Sequence, residues 1–490
     1  MHKSLERGLE AELRRDARPE RLPEPPPFRR LVGPGVILIA TAVGSGEILF
    51  WPGIVANYGF QFVWLILTAL TCQYVLNTEF VRYTLATGEP VVAGYVRLWR
   101  GFRWVFLAAT ILPWVWPGWA TGGAQALQWL FGGEVRWIAA ASLVIIGLLL
   151  SSTRLVYRAL ETAQAWMIGY VLVVLALVTA LVVRPDTLAV AAGGLARSPL
   201  PFPPDLALPT LLAALVFCGA GGTINLATSN WARDKGFGLA AHASKIVNPL
   251  TGATQATGTA LFRLTAEPGQ AALWRRWWAL ARREQQVTFL LGGAFGLTAP
   301  MLIAYAMVGE KGLGVGLDAV RAQAQQLGAQ FGAWLQVGFV IAVAAIFLTS
   351  ALGVLDHAAR LAASLLAQPK ERLEPEPGRW RTESGLYFLV LWGLIAVGLV
   401  ILLGFNVADP PALLTIAGAL SGIVMFVYAA LTLVLNIRMR RAMDRIEPAL
   451  GGDNPFRMSW PRTLFLTVGV ALYGALSIAV IQDALAKAAA

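Results

Sequence analysis

Thr41-Ala42-Val43-Gly44-Ser45-Gly46-Glu47-Ile48 interrupts an apolar run, about residues 33–59, that is otherwise fit to cross a bilayer as a helix. A second interruption, Cys218-Gly219-Ala220-Gly221-Gly222-Thr223-Ile224-Asn225, breaks the run at about 207–232. Unwinding a helix in hydrocarbon frees amides and carbonyls, each costing several kcal/mol unless paired or facing a water-filled cavity. Glycine makes the unwound geometry sterically possible. Glu47 starts the second half of its run, roughly fifteen residues into the membrane, where a carboxylate costs at least about 2.5–3.5 kcal/mol.

Working outward, the 490 residues are 57% hydrophobic and only 14% charged, against about 25% charged in soluble domains. Eleven apolar spans follow from the hydropathy pattern: about 33–59, 60–81, 104–130, 137–152, 160–183, 207–232, 286–309, 333–363, 385–404, 411–436 and 461–482. The expectation is an all-α polytopic membrane protein. Its parts are an N-terminal arm (1–30), a transmembrane core (31–445) and an additional C-terminal helix in 446–490. Spans 1 and 6 are the glycine-broken ones, and each opens a block of five, about 31–184 and 206–437. Five spans per block put the second block in inverted orientation, and broken segments at matching positions of inverted halves point to a midplane transport site.

The net charge of +11 is explained by position. Of the 39 Lys and Arg, all but Arg136, Arg184, Arg197, Lys311, Arg321 and Lys487 fall in the arm and the alternate loops on its side. That asymmetry places the N-terminus in the cytoplasm and the C-terminus outside, and requires no nucleic-acid partner. A bacterial-type inner membrane is the expected location. Residues 1–30 are charged and proline-rich, do not read as a signal peptide, and are expected to be mobile at their start. Segment 233–285 carries Trp274-Arg275-Arg276-Trp277-Trp278, a mixture suited to an amphipathic interfacial helix. In 310–332, Asp318, Arg321, Gln325 and Gln326 recur at helical intervals and read the same way.

The first break offers Gly44, Ser45 and Glu47. The second offers Gly219, Ala220, Thr223 and Asn225, with freed carbonyls, a hydroxyl and an amide. Two readings of Glu47 stand side by side: a helix cap, with Ser45 sharing the role, or a group whose burial is offset by a bound cation, a proton or a basic partner. Neither Lys nor Arg lies within spans 1, 3 or 4 to pair with it. Glu79 and Arg82, three apart, read as a helix-surface pair, with Glu79 also a candidate in coupling. Asp356, His357 and Arg360 read as a gate network or a satisfied structural cluster. Trp114, Trp116 and Trp119 line a cavity or pack against neighbours. Cys218, buried, reads as inert. Three histidines argue against a His-built centre. Neither a nucleophile–base–orienter set nor a Gly-x-x-x-x-Gly-Lys-Ser/Thr loop is present, so an enzyme or ATP-driven pump is not expected.

Several short motifs resemble the Nramp family of divalent-metal transporters. They are Gly33-Pro34-Gly35, Tyr58-Gly59-Phe60 with Trp64, Thr87-Gly88 and Gly219-Ala220. The resemblance implies a leucine-transporter-like 5+5 inverted repeat working by alternating access around spans 1 and 6. It also implies a metal site at Glu47, Ala220, Thr223 and Asn225. Family members that carry transition metals have Asp-Pro-Gly-Asn at the first break, where this chain has Gly44, Ser45, Gly46 and Glu47. Their Met-Pro-His at the second break matches Thr223, Ile224 and Asn225, and span 3 lacks the family's proton-path acids. One carboxylate with hydroxyl, amide and carbonyl oxygens makes a hard site, suited to magnesium, manganese or calcium rather than copper or zinc. Magnesium keeps its waters, so a roomy cavity with one acid could hold it partly hydrated. The expectation is a transporter of a divalent cation, magnesium or manganese ahead of softer metals. Proton coupling is in doubt, no cofactor is needed, and the bilayer is the one partner named; oligomeric state is open. The rival is an amino-acid or organic-solute permease of the same superfold, suggested by Gly44-Ser45-Gly46 and Pro52-Gly53, whose glycine amides would hold a substrate carboxylate. A receptor or scaffold that binds without transport is the third reading.

Overall fold

A computed structural model of the chain describes residues 2–44, 46–152, 155–197, 203, 206–247, 261–308, 316–367, 379–405 and 410–489. The protein is helical almost throughout. Among the described residues eight helices are long and apolar enough to cross a membrane, or nine if two shorter ones that meet at 118° are counted as one bent span. Trp99, Trp104, Trp137, Trp334, Trp380 and Trp460 stand exposed near helix ends, as headgroup anchors do.

The arm forms α1 (His2–Asp16), a strand β1 (Arg18–Glu20) and a short α2 (Phe28–Leu31). From Leu9 onward it is docked on the rest of the protein. Leu9, Leu13 and Ala17, spaced one helical turn apart, are buried, and β1 pairs in parallel with β2 (Phe262–Leu264). Arg97 donates to Glu12 at 2.9 Å and the Trp277 indole to the Pro23 carbonyl at 2.7 Å. The apolar stripe of α1 finds its partner hundreds of residues away, at the end of span 10.

Span 1 is α3 (Pro34–Ala42) and α4 (Trp51–Tyr58); span 2 is α5 (Val63–Thr87), followed by α6 (Val91–Leu98). Span 3 differs from the single helix expected. It is split into α7 (Phe102–Ile111) and α8 (Gly118–Phe131), because Pro113 and Pro117 remove two backbone donors one turn apart. Spans 4 and 5 are α9 (Val135–Ser151) and α10 (Val156–Val182), then α11 (Pro185–Leu195). Span 6 is α12 (Leu208–Val216) and α13 (Ile224–Lys235).

Next comes α14 (Gln270–Gln285), which is not an interfacial helix lying in the membrane plane. It runs through a wide turn into α15 (Gly292–Val308), and the pair forms one continuous helix over Gln270–Val308. Its 39 residues reach about 58 Å at 1.5 Å per residue, nearly twice the hydrocarbon thickness of about 30 Å. Its first half therefore projects beyond the bilayer, with Trp274 and Trp277 buried against protein. Helix α16 (Leu317–Phe331) forms as the polar spacing predicts and buries Leu317, Val320, Ala324 and Leu327. Spans 8 to 11 are α17 (Ala333–Leu366), α18 (Glu383–Leu399), α19 (Pro410–Ile446) and α20 (Trp460–Ala489).

Candidate functional site

The entry of α3 explains Gly33-Pro34-Gly35. The Glu284 carboxylate of α14 accepts the N–H groups of Gly33 (3.2 Å) and Gly35 (2.7 Å), capping the helix start. A side chain on Gly35 would strike Thr288 and Glu284.

The helix α3 ends at Ala42. The Gly44 N–H, which would continue it, is taken instead by Glu47 Oε2 at 2.8 Å, and Gly46–Phe50 forms a widened turn before α4. Ser45 lies outside the described residues. Glu47 is fully buried, and its Oε1 has no hydrogen-bond partner. Cap and ligand are thus not rival roles: one oxygen caps the break, and the other is left unpaired.

The helix α12 ends at Val216, and α13 begins at Ile224. Between them Gly221 and Gly222 adopt left-handed φ values of +68° and +46°, which only glycine adopts without strain. The backbone carbonyls of residues 217–220 accept no hydrogen bond from another described residue. Gln73 of α5, which nothing in the sequence singled out, braces this gap. Its Nε2 donates to the Val216 carbonyl at 3.0 Å, while its Oε1 accepts from the Gly221 N–H and from Asn225 Nδ2, both at 3.2 Å. Asn225 Nδ2 also donates to the Tyr428 hydroxyl at 2.9 Å, leaving Asn225 Oδ1 without a partner. Thr223 Oγ1 lies 3.3 Å from His357 Nε2. Gly219 packs on Gln73 and Phe289, and Ala220 is buried.

The two breaks meet backbone to backbone. A Cβ on Gly46 would fall on the Phe217 carbonyl, and one on Gly44 on the Ser350 hydroxyl. Around the contact, Phe50 stacks on Phe217 (6.3 Å), and the Trp51 indole donates to the Ala214 carbonyl at 2.8 Å. Glu47 and Cys218 lie within electrostatic range of each other. The glycines, Glu47 and the unwound carbonyls therefore come together. Thr223 and Asn225 sit at the far end of the same gap, held by His357 and by Gln73 with Tyr428.

Two of the three tryptophans of the split span 3 wall this gap. Trp114 stacks on Trp119 (5.3 Å), Trp119 meets Phe217 edge-on (5.9 Å), and Trp114 does the same to His357 (4.9 Å). The buried Trp114 Nε1 has no partner. Trp116 is only half-buried.

The remaining candidates separate. Asp356 and Arg360 pair within a buried cluster, with Arg360 gripping Asp234 of α13, and Asp356 also accepting from Trp231 (2.8 Å) and Tyr387 (2.8 Å). His357 does not join it; successive helical residues point about 100° apart, which turns His357 towards Thr223. Glu79 and Arg82 do pair, but not on a surface. Both are buried, and Glu79 also accepts from Asn436 (2.9 Å) and Arg462 (2.6 Å), while Arg82, Arg282 and Arg462 surround the Trp278 ring. That places Glu79, with both oxygens paired, in a cluster against α19 and α20. Among the described residues no group of three or more His, Cys, Asp or Glu side chains converges as a metal centre.

No protein-family model matches the chain. Over 80 residues it is 31% identical to an uncharacterized protein of Pasteurella multocida (strain Pm70), a stretch making up 16% of this chain and only 18% of that protein. Among solved structures, it is similar to two mutant forms of the Eremococcus coleocola manganese transporter, each with a TM-score of 0.64 at 13% identity, covering 96% of this chain and 90% of theirs. The same transporter in complex with an aromatic bis-isothiourea substituted compound gives 0.63. At that identity the likeness is one of fold.

Proposed function

We propose that this protein is a secondary transporter that moves a divalent metal cation across a cell membrane, by alternating access of two inverted five-span repeats. Magnesium and manganese are preferred over softer metals. The observation that carries the reading is the unpaired Oε1 of a fully buried Glu47 at the crossing of two broken helices. A buried carboxylate oxygen without a partner costs more than one hydrogen bond, and a bound cation offsets that cost. Glu47, the Ala220 carbonyl, Thr223 and Asn225 Oδ1 supply oxygen alone, which suits hard ions. Alternate opening of the two ends would pass the ion across, with the N-terminus on the cytoplasmic side that the arginine distribution favours.

One observation favours a second reading. The wall of Trp114, Trp119 and Phe217 suits an organic solute, such as an amino acid whose ammonium pairs with Glu47. A substrate panel on purified protein in liposomes separates the two: magnesium, manganese, calcium and several amino acids, each with and without a pH gradient. The metal reading expects saturable divalent uptake that amino acids do not compete. Amino-acid uptake without divalent flux would overturn it.

A further inference from the structure

On the arginine-rich side, the run Pro25-Pro26-Pro27-Phe28 lies alongside the projecting half of α14, and a cleft opens between them, walled by Arg276, Ala279 and Leu280. We propose that this cleft binds an anionic phospholipid of the adjoining leaflet, its phosphodiester held by arginines and its glycerol and upper acyl chain by the prolines, Phe28 and Leu280.

Position supports this. Glu284 caps the start of α3, so the end of α14 lies level with the point where span 1 enters the membrane. Arg283, its neighbour, stands over the Phe28 ring at 5.0 Å. Arg276 is seven residues further out, about 10 Å along the helix, so the two guanidiniums bracket the headgroup layer, roughly 5–7 Å deep per leaflet. Charge supports it too. Arg29 and Arg30 follow Phe28 directly and are exposed, and neither they nor Arg283 has an acidic partner among the described residues. The acid that does face the cleft is Glu24, 2.7 Å from Arg276, in a pair with both members more than half exposed. Such a pair contributes little and yields readily to a doubly bonded phosphate. A rim of this sign above an apolar floor matches a lipid better than a free anion, which has no use for the floor.

The test is lipid retention by the full-length protein, purified in detergent and read by native mass spectrometry. Phosphatidylglycerol, phosphatidylcholine and inorganic phosphate are titrated separately. The wild type should retain phosphatidylglycerol and not phosphatidylcholine. The exposed pair Arg276→Gln with Arg283→Gln should bind it about thirtyfold more weakly, and Arg136→Gln at the opposite end should bind as wild type. Equal retention by the double variant and wild type would overturn the proposal. So would equal retention of both lipids, or displacement of the lipid by millimolar inorganic phosphate, which would make the site a simple anion site.

Discussion

The midplane crossing and the arginine-rich end of the same helices treat buried polarity in opposite ways. At the end of α13 and α17, Asp234, Asp356, Arg360, Trp231 and Tyr387 are buried, and every oxygen of Asp356 is used more than once. On another face of α17, His357 (next in sequence to Asp356) and Ser350 (nearly two turns away) face the breaks, where Glu47 Oε1, Asn225 Oδ1, His357 Nδ1 and Trp114 Nε1 are buried without partners. Both regions lie far from water, so desolvation does not distinguish them. What differs is completeness: the first cluster is closed by its own side chains, and the second lacks a guest. A paired network holds helices together, whereas an unpaired one is destabilising until something binds.

Changing the closed cluster should have the largest effect on stability. Arg360→Leu leaves Asp356 buried without its cation and Asp234 with Arg233 alone, and should cost about 3–5 kcal/mol, seen as a large drop in thermal midpoint in detergent. An unchanged midpoint would erase the contrast. Gln73→Leu tests the brace of the open region. It strips partners from the Val216 carbonyl and the Gly221 N–H, and should cost about 2 kcal/mol while lowering uptake more than stability. Gly46→Ala sharpens the picture at the crossing itself, because its Cβ meets the Phe217 backbone. Overpacking there should cost about 1–3 kcal/mol, and uptake should fall while substrate selectivity stays the same. Normal uptake by Gly46→Ala would mean that the two breaks need not touch.

The breaks themselves could be read from sequence, since glycine clusters in apolar runs have few other uses and Glu47 stood at a depth that demanded an explanation. The third break was marked by Pro113 and Pro117 in an otherwise helical run, a signal passed over because the flanking tryptophans fit a continuous span equally well. Gln73 carried no local mark at all: its role depends on α5 lying across the gap in span 6, a tertiary fact. His357 was grouped with Asp356 by adjacency, although helical geometry turns neighbours to different faces. The helix α14 was misread, because charge and tryptophan suggest a membrane surface when their partner is another part of the chain.

The most direct test of the central claim is divalent uptake by Glu47→Gln in liposomes. The amide oxygen can still accept the Gly44 N–H, so the break keeps its cap and the fold its stability, while the negative charge is lost. The account predicts magnesium and manganese uptake at the level of protein-free liposomes, with a thermal midpoint close to wild type. Uptake at the wild-type rate by a folded Glu47→Gln protein would contradict it.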